Sequence, residues 1–222
     1  MPVFDKELKI KIDYFRRRII EFYLKSGRQF PWRETNDPYV VLVSELLLQK
    51  TTSEQVLNIF SKFFSRFPEV RILAQADVKE IEAIIGVLGL RKRTRFLKEL
   101  ALQIVRDFNG TIPNDRNKLL KLKGVGLYTA NAVLAFAYNQ CVPVVDTNVA
   151  RVLRRFFGIK GKKPAYADKE LWSFAKYVMP SSKCREYNYG ILDLGALICK
   201  SRAPLCGKCP LKEYCQYYRS SN

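Results

Sequence analysis

LLKLKGVGLYTANAVL, residues 119–134, decides how the rest of the chain is read. Leu119 and Leu120 close one helical pattern of apolar residues, Lys123, Gly124, Val125 and Gly126 turn the chain, and Tyr128 to Leu134 opens a second pattern. Neither glycine carries a Cβ. Both can therefore take positive φ and let an anion approach the backbone, where N–H groups of Val125, the turn and the following helix start can donate to phosphate oxygens. A lone GxG carries little information; set between two short helices in a basic chain, it forms a hairpin suited to gripping a phosphate backbone without reading bases.

The chain is strongly basic. Its 222 residues hold 39 Lys and Arg against 21 Asp and Glu, with no histidine, for a formal net charge of +18. Each phosphate that such a surface neutralises releases a condensed counterion, so nucleic acid is the natural partner. At 48% hydrophobic residues the chain is long enough to build a core without staples. No apolar run reaches the 18 residues of a membrane span, and the N-terminal MPVFDKELKIK has no signal-peptide core. The protein is therefore expected to be cytoplasmic and nucleoid-associated, with its cysteines reduced. No sustained heptad asks for a partner, which predicts a monomer.

Working outward from the hairpin, apolar residues recur at helical spacing almost everywhere, and β-branched alternation is confined to VPVV at 142–145. The fold class is all-α. Asp37 and Pro38 form an N-cap and first-turn pair opening a helix to about Gln49, and SerGluGlnVal from 53 opens another ending near Pro68. Further helices are predicted over 77–85, 92–108, 114–121, 127–138, 147–157, 166–178 and 185–197, with no Gly, Ser or Pro linker between them.

Four of the six cysteines crowd into CKSRAPLCGKCPLKEYC: Cys199, Cys206, Cys209 and Cys215. Four soft ligands within seventeen residues predict a metal site, either structural zinc or an iron–sulfur cluster. Zinc sites usually pair two CxxC-like knuckles, and only one is present here. Cys141 and Cys184 lie outside the pattern and read as small core residues. Lys200, Arg202, Lys208 and Lys212 would make the closed loop a basic knob.

Two carboxylates stand out. Asp146 precedes ThrAsnValAlaArgValLeu, where an N-cap is required. Glu45 sits in LVSELLLQKTT, residues 42–52, inside a run of Val and Leu. It either faces solvent on a polar stripe with Ser44 and Gln49 or lies in apolar surroundings that keep its carboxyl protonated.

These motifs together resemble the helix-hairpin-helix DNA glycosylases that carry an iron–sulfur cluster, a family including endonuclease III, the adenine glycosylases and the thymine mismatch glycosylases. The matching stretches are FPWR at 30–33, DPY at 37–39, SELLLQKT at 44–51, KGVGLYTANAVL at 123–134, VDTNVARVL at 145–153 and the four-cysteine loop. The resemblance implies a six-helix barrel domain over residues 28–136. A second helical domain, residues 1–27 with 137–222, would carry a 4Fe-4S cluster on the four cysteines, and double-stranded DNA would lie in a cleft between the two. It also implies extrusion of the target nucleotide from the duplex.

Carried over by position, Asp146 is the catalytic aspartate facing the sugar as the base departs, and Glu45 the acid assisting the leaving base. Tyr128 replaces the lysine with which bifunctional relatives form a Schiff base. A phenol cannot do that, so base release without strand cleavage is expected. Tyr128 could otherwise be a core aromatic. Gln49 matches the residue that wedges into the gap left by the flipped nucleotide, with Lys50 beside it on phosphate. Trp32 and Arg33 match the loop lining the base pocket, although Trp32 equally suits a core anchor. A lysine, Lys123, stands where the family usually has proline.

The adenine-recognising glutamine or glutamate of adenine glycosylases is replaced by Tyr189, and the chain ends seven residues after Cys215, without their 8-oxoguanine-reading domain. The segments at 37–52 and 169–194 look closest to archaeal thymine mismatch glycosylases. The resemblance therefore implies removal of thymine or uracil opposite guanine, with adenine removal opposite guanine or 8-oxoguanine as the alternative.

Overall fold

The computed structural model describes residues 6–89, 91–161 and 163–221; the first five residues of the N-terminal stretch read above lie outside them. Among the described residues there is no strand, and VPVV is extended chain without a sheet partner. Twelve α-helices are described: α1 (Lys6–Ser26), α2 (Pro38–Leu47), α3 (Ser53–Arg66), α4 (Val70–Gln75), α5 (Val78–Ile85), α6 (Arg91–Phe108), α7 (Arg116–Leu120), α8 (Leu127–Phe136), α9 (Thr147–Phe157), α10 (Lys169–Tyr177), α11 (Cys184–Leu197) and α12 (Gln216–Ser221). Sequence periodicity had not singled out α1, α4 or α12. They gather into two compact units, Gln29–Tyr138 and Met1–Arg28 with Asn139–Asn222.

The continuous unit is built around α2 and α8, which pack on each other. Both are apolar on nearly every face, and a helix of that kind belongs in a core. Asp37 caps α2 through Tyr39 N–H at 2.8 Å, with Pro38 in the first turn where its missing N–H costs nothing. The other end of α2 is met by Arg93 Nη1, which donates to Leu46 O at 2.9 Å, setting a cation on the last-turn carbonyls. A capping box of Thr52 and Gln55 starts α3. Helices α4 and α5 pack against the long α6, and α7 against α8.

In the second unit α1 and α9 both pack on α11. Ile12, Phe15 and Ile19 recur on one face of α1 and are buried there. Phe15 meets Phe156 with ring centroids 4.8 Å apart. Gly195 permits the close approach of α9: a Cβ there would lie 2.7 Å from that of Asn148. Asp193, fully buried on α11, accepts from the Arg28 backbone N–H at 2.9 Å and from its Nε at 2.7 Å, so a buried charge is paired.

One expectation is corrected. Cys141 and Cys184, read as reduced core thiols, are joined in a disulfide with Cα atoms 5.2 Å apart. The compartment argument for reduced cysteines carried no information on whether two thiols separated by 43 residues meet in space.

Candidate functional site

The hairpin between α7 and α8 is anchored by Leu119, Leu122 and Val125, all buried. Val125 N–H closes the turn on Leu122 O at 3.1 Å. Gly124 has φ +69°, the left-handed region that sequence reading assigned to both glycines. Gly126 does not share it. Its φ is −88°, and a Cβ there would meet nothing within 4 Å, so its contribution is open space at the start of α8. No side chain of Gly126 caps the start of α8.

Helix α6 holds the hairpin from behind with three side chains. Phe96 covers Gly124 so closely that a Cβ would fall 1.9 Å from its Cζ. Gln103 accepts from Lys123 N–H at 2.9 Å and donates to Lys121 O at 3.0 Å. Glu99 pairs with Lys123 Nζ. The lysine in place of proline brings a backbone N–H that proline lacks, and the Gln103 amide satisfies it.

Glu45 is only 7% exposed and its neighbour Ser44 is wholly buried, so the solvent-facing stripe is excluded. Gln49 and Lys50 follow the end of α2 and are exposed; Lys50 has φ +59°, and Gln49 Nε2 lies 3.5 Å from Thr129 Oγ1. Tyr128 is half-buried in the first turn of α8. Trp32 is buried, stacked on Phe30 at 4.7 Å and tilted against Phe60 at 5.8 Å. Arg33, also buried, places its guanidinium 5.3 Å from the centroid of Phe30.

In the second unit Asp146 caps α9. Its Oδ1 accepts from Val149 N–H at 2.7 Å and its Oδ2 from Asn148 Nδ2 at 2.8 Å, while the residue stays half-exposed. Asn148 Oδ1 in turn accepts from Arg151 Nη2 at 2.7 Å, and Arg151 Nε reaches Cys199 O at 2.7 Å. A hydrogen-bonded chain thus connects the Asp146 carboxylate to the first of the four cysteines. Sequence reading missed Asn148, Arg151 and Arg155. Their spacing of three and then four residues places them on one stripe of α9, alongside the apolar Val149, Val152 and Phe156, and that pattern was legible.

Cys199, Cys206, Cys209 and Cys215, all free thiols, line one small pocket together with Arg155 and Lys212. Arg155 grips the loop, donating to Cys199 Sγ at 3.5 Å, Lys200 O at 2.7 Å and Ser201 O at 3.1 Å. Burial pushes the Cys209 thiol up to about 11, and neighbouring thiols add to the shift. Among the described residues no three His, Cys, Asp or Glu side chains converge as a single-ion site. Lys200 and Arg202 are exposed on the same loop. Tyr189 is buried on α11, its ring stacked with Tyr23 at 5.8 Å.

Comparison with known proteins extends these observations. The chain is 44% identical to a thymine/uracil-DNA glycosylase of Pyrobaculum aerophilum over 94% of both chains, and 41% identical to a thymine-DNA glycosylase of Aeropyrum pernix over 96% of this chain and 97% of that one. The solved structure of a thermostable thymine-DNA glycosylase superposes with a TM-score of 0.92 at 38% identity, covering 96% of this chain and 99% of the other. The family model for HhH-GPD superfamily base excision DNA repair proteins matches residues 43–176, a span that holds Glu45, the hairpin and Asp146. By full-length likeness, helical architecture and hairpin alike, the chain belongs to the HhH-GPD superfamily of base excision DNA repair proteins.

Proposed function

We propose that this chain is a monofunctional DNA glycosylase that hydrolyses the N-glycosidic bond of thymine or uracil mispaired with guanine in double-stranded DNA. The observation that carries the proposal is its likeness, over nearly its whole length, to thymine/uracil-DNA glycosylase. Duplex backbone is gripped by the hairpin of the continuous unit, through the N–H groups of Gly124 and Gly126 on either side of Val125, whose own N–H closes the turn, and by Lys50, Lys123, Lys200 and Arg202. Gln49 fills the gap left by the extruded nucleotide.

The bond from the sugar C1′ to the base nitrogen breaks with its electron pair leaving on the base, and the sugar becomes cationic. Asp146, anchored by its cap and by Asn148, supplies negative charge toward that sugar and orients the water that adds to C1′. Water loses one proton, the departing base gains one, and free base and an abasic site remain. Glu45, shielded from solvent on α2, assists the leaving base. Tyr128 has no amine with which to form a Schiff base, so the strand stays intact.

The four thiols fit a 4Fe-4S cluster, which when bound would cross-link the loop and hold its basic residues in place. Incubation with duplexes bearing G·T, G·U, A·G and A·8-oxoguanine, with and without alkali, tests the proposal. Alkali-dependent breakage at T and U is expected. Breakage confined to the adenine strand would overturn the assignment, and breakage without alkali would overturn the monofunctional chemistry.

A further inference from the structure

Residues 139–146 form no regular element, yet they deliver Asp146 to the start of α9. Such a segment is ordinarily fixed by a neighbouring strand, and among the described residues there is none. The Asn188 carboxamide stands in for it: Val144 N–H donates to Asn188 Oδ1 at 3.1 Å, and Asn188 Nδ2 donates to Val142 O at 3.0 Å. Asn188 is 1% exposed, so these bonds form away from competing water. Four residues earlier, and so on the same face of α11, Cys184 is bonded to Cys141. Pro143, between the two clamped residues, narrows the remaining backbone freedom.

The segment is therefore tied to α11 at residues 141, 142 and 144. The bonds that Asp146 makes to Val149 and Asn148 fix its carboxylate relative to α9, while these three ties fix the path by which the chain enters that helix. We infer that Asn188 and the Cys141–Cys184 disulfide together are the positioning device for Asp146. Neither touches the reacting atoms. The inference rests on the reading of Asp146 as the catalytic carboxylate.

The test uses the full chain on a G·T duplex, with enzyme in excess so that a single turnover reports chemistry, alongside the dissociation constant for the same duplex. Displacing a reacting group by a fraction of an ångström is costly. Asn188→Ala should therefore slow base release about tenfold or more, with affinity held to within about twofold. A water-soluble phosphine should slow the wild type by opening the disulfide, and reoxidation should restore the rate. A Cys141→Ser, Cys184→Ser double variant should start slow and be indifferent to reductant, which separates this effect from any action on the four-cysteine loop.

Asp146→Asn is run in parallel. Full activity of that variant would remove the catalytic reading itself. An inactive Asp146→Asn beside Asn188→Ala and double-cysteine variants as fast as wild type would overturn the positioning inference alone. So would a rate loss matched by an equal loss of affinity. Should Asn188→Ala fail to fold, reductant decides: an unchanged wild-type rate overturns the inference, and a reversible fall supports it.

Discussion

Replacing Gly124 by alanine adds one methyl group at the point where the hairpin is most constrained. Two separable costs arise. The backbone there has φ +69°, which an L side chain tolerates at about 1–2 kcal/mol. The new Cβ would also fall 1.9 Å from Cζ and 2.3 Å from Cε2 of Phe96, so the ring must leave its rotamer or the turn must move, at about 1–3 kcal/mol. Together Gly124→Ala should destabilise by about 2–5 kcal/mol. Phe96→Ala removes the steric part. In that background the same substitution should cost only the backbone part, about 1–2 kcal/mol. Urea unfolding of the four proteins gives the coupling directly from the shift in midpoint at constant slope. A Gly124→Ala cost near zero, or the same cost with and without the Phe96 ring, would refute the view that Phe96 and the left-handed turn jointly define the hairpin.

Gln103→Ala leaves Lys123 N–H and Lys121 O without their partner, and affinity for undamaged duplex should fall about tenfold, as expected for the loss of roughly one charge-free hydrogen-bond pair. Lys123→Pro removes the N–H that needed satisfying, so in that background Gln103→Ala should cost less; equal losses in both backgrounds, measured by fluorescence anisotropy, would contradict this. Away from the hairpin, Asp168 caps α10 through Leu171 N–H and pairs with Arg154 at 2.5 Å, and these two, in that order, hold its carboxyl below the usual range. Because the folded value is the lower one, its stabilisation is fully present above the unfolded carboxylate value near ~4 and fades as pH drops through the depressed value. Asp168→Asn should therefore lower the melting temperature at neutral pH and converge with wild type in strong acid; a gap independent of pH would contradict the linkage.

Features encoded in contiguous residues were legible from the sequence. Apolar spacing marked α2 and α8, Asp37 with Pro38 marked where α2 begins, and the glycines between Leu122 and Leu127 marked the turn. The crowding of four cysteines between 199 and 215 was equally plain in the sequence. Helix α4, at six residues, is too short to show a period, and the packing of Trp32 between Phe30 and Phe60 depends on a contact with α3 that its own neighbours in sequence do not reveal. What sequence could not show were side chains acting on distant backbone: Gln103 on Lys121 and Lys123, Asn188 on Val142 and Val144, Arg155 on the cysteine loop. Each satisfies polar groups that fold-level patterning leaves open, and each depends on which helices become neighbours. The Cys141–Cys184 bond belongs with them.

The most direct test of the account is Asp146→Asn assayed for thymine release from a G·T duplex under single-turnover conditions. Asparagine can keep the cap on Val149 N–H through its one amide oxygen and gives up the bond from Asn148 Nδ2, so the variant keeps α9 while losing the negative charge. The expected result is unchanged duplex affinity and at most a small fall in melting temperature, with base release slowed at least about a hundredfold. Release at the wild-type rate would contradict the central claim that this carboxylate meets the cationic sugar.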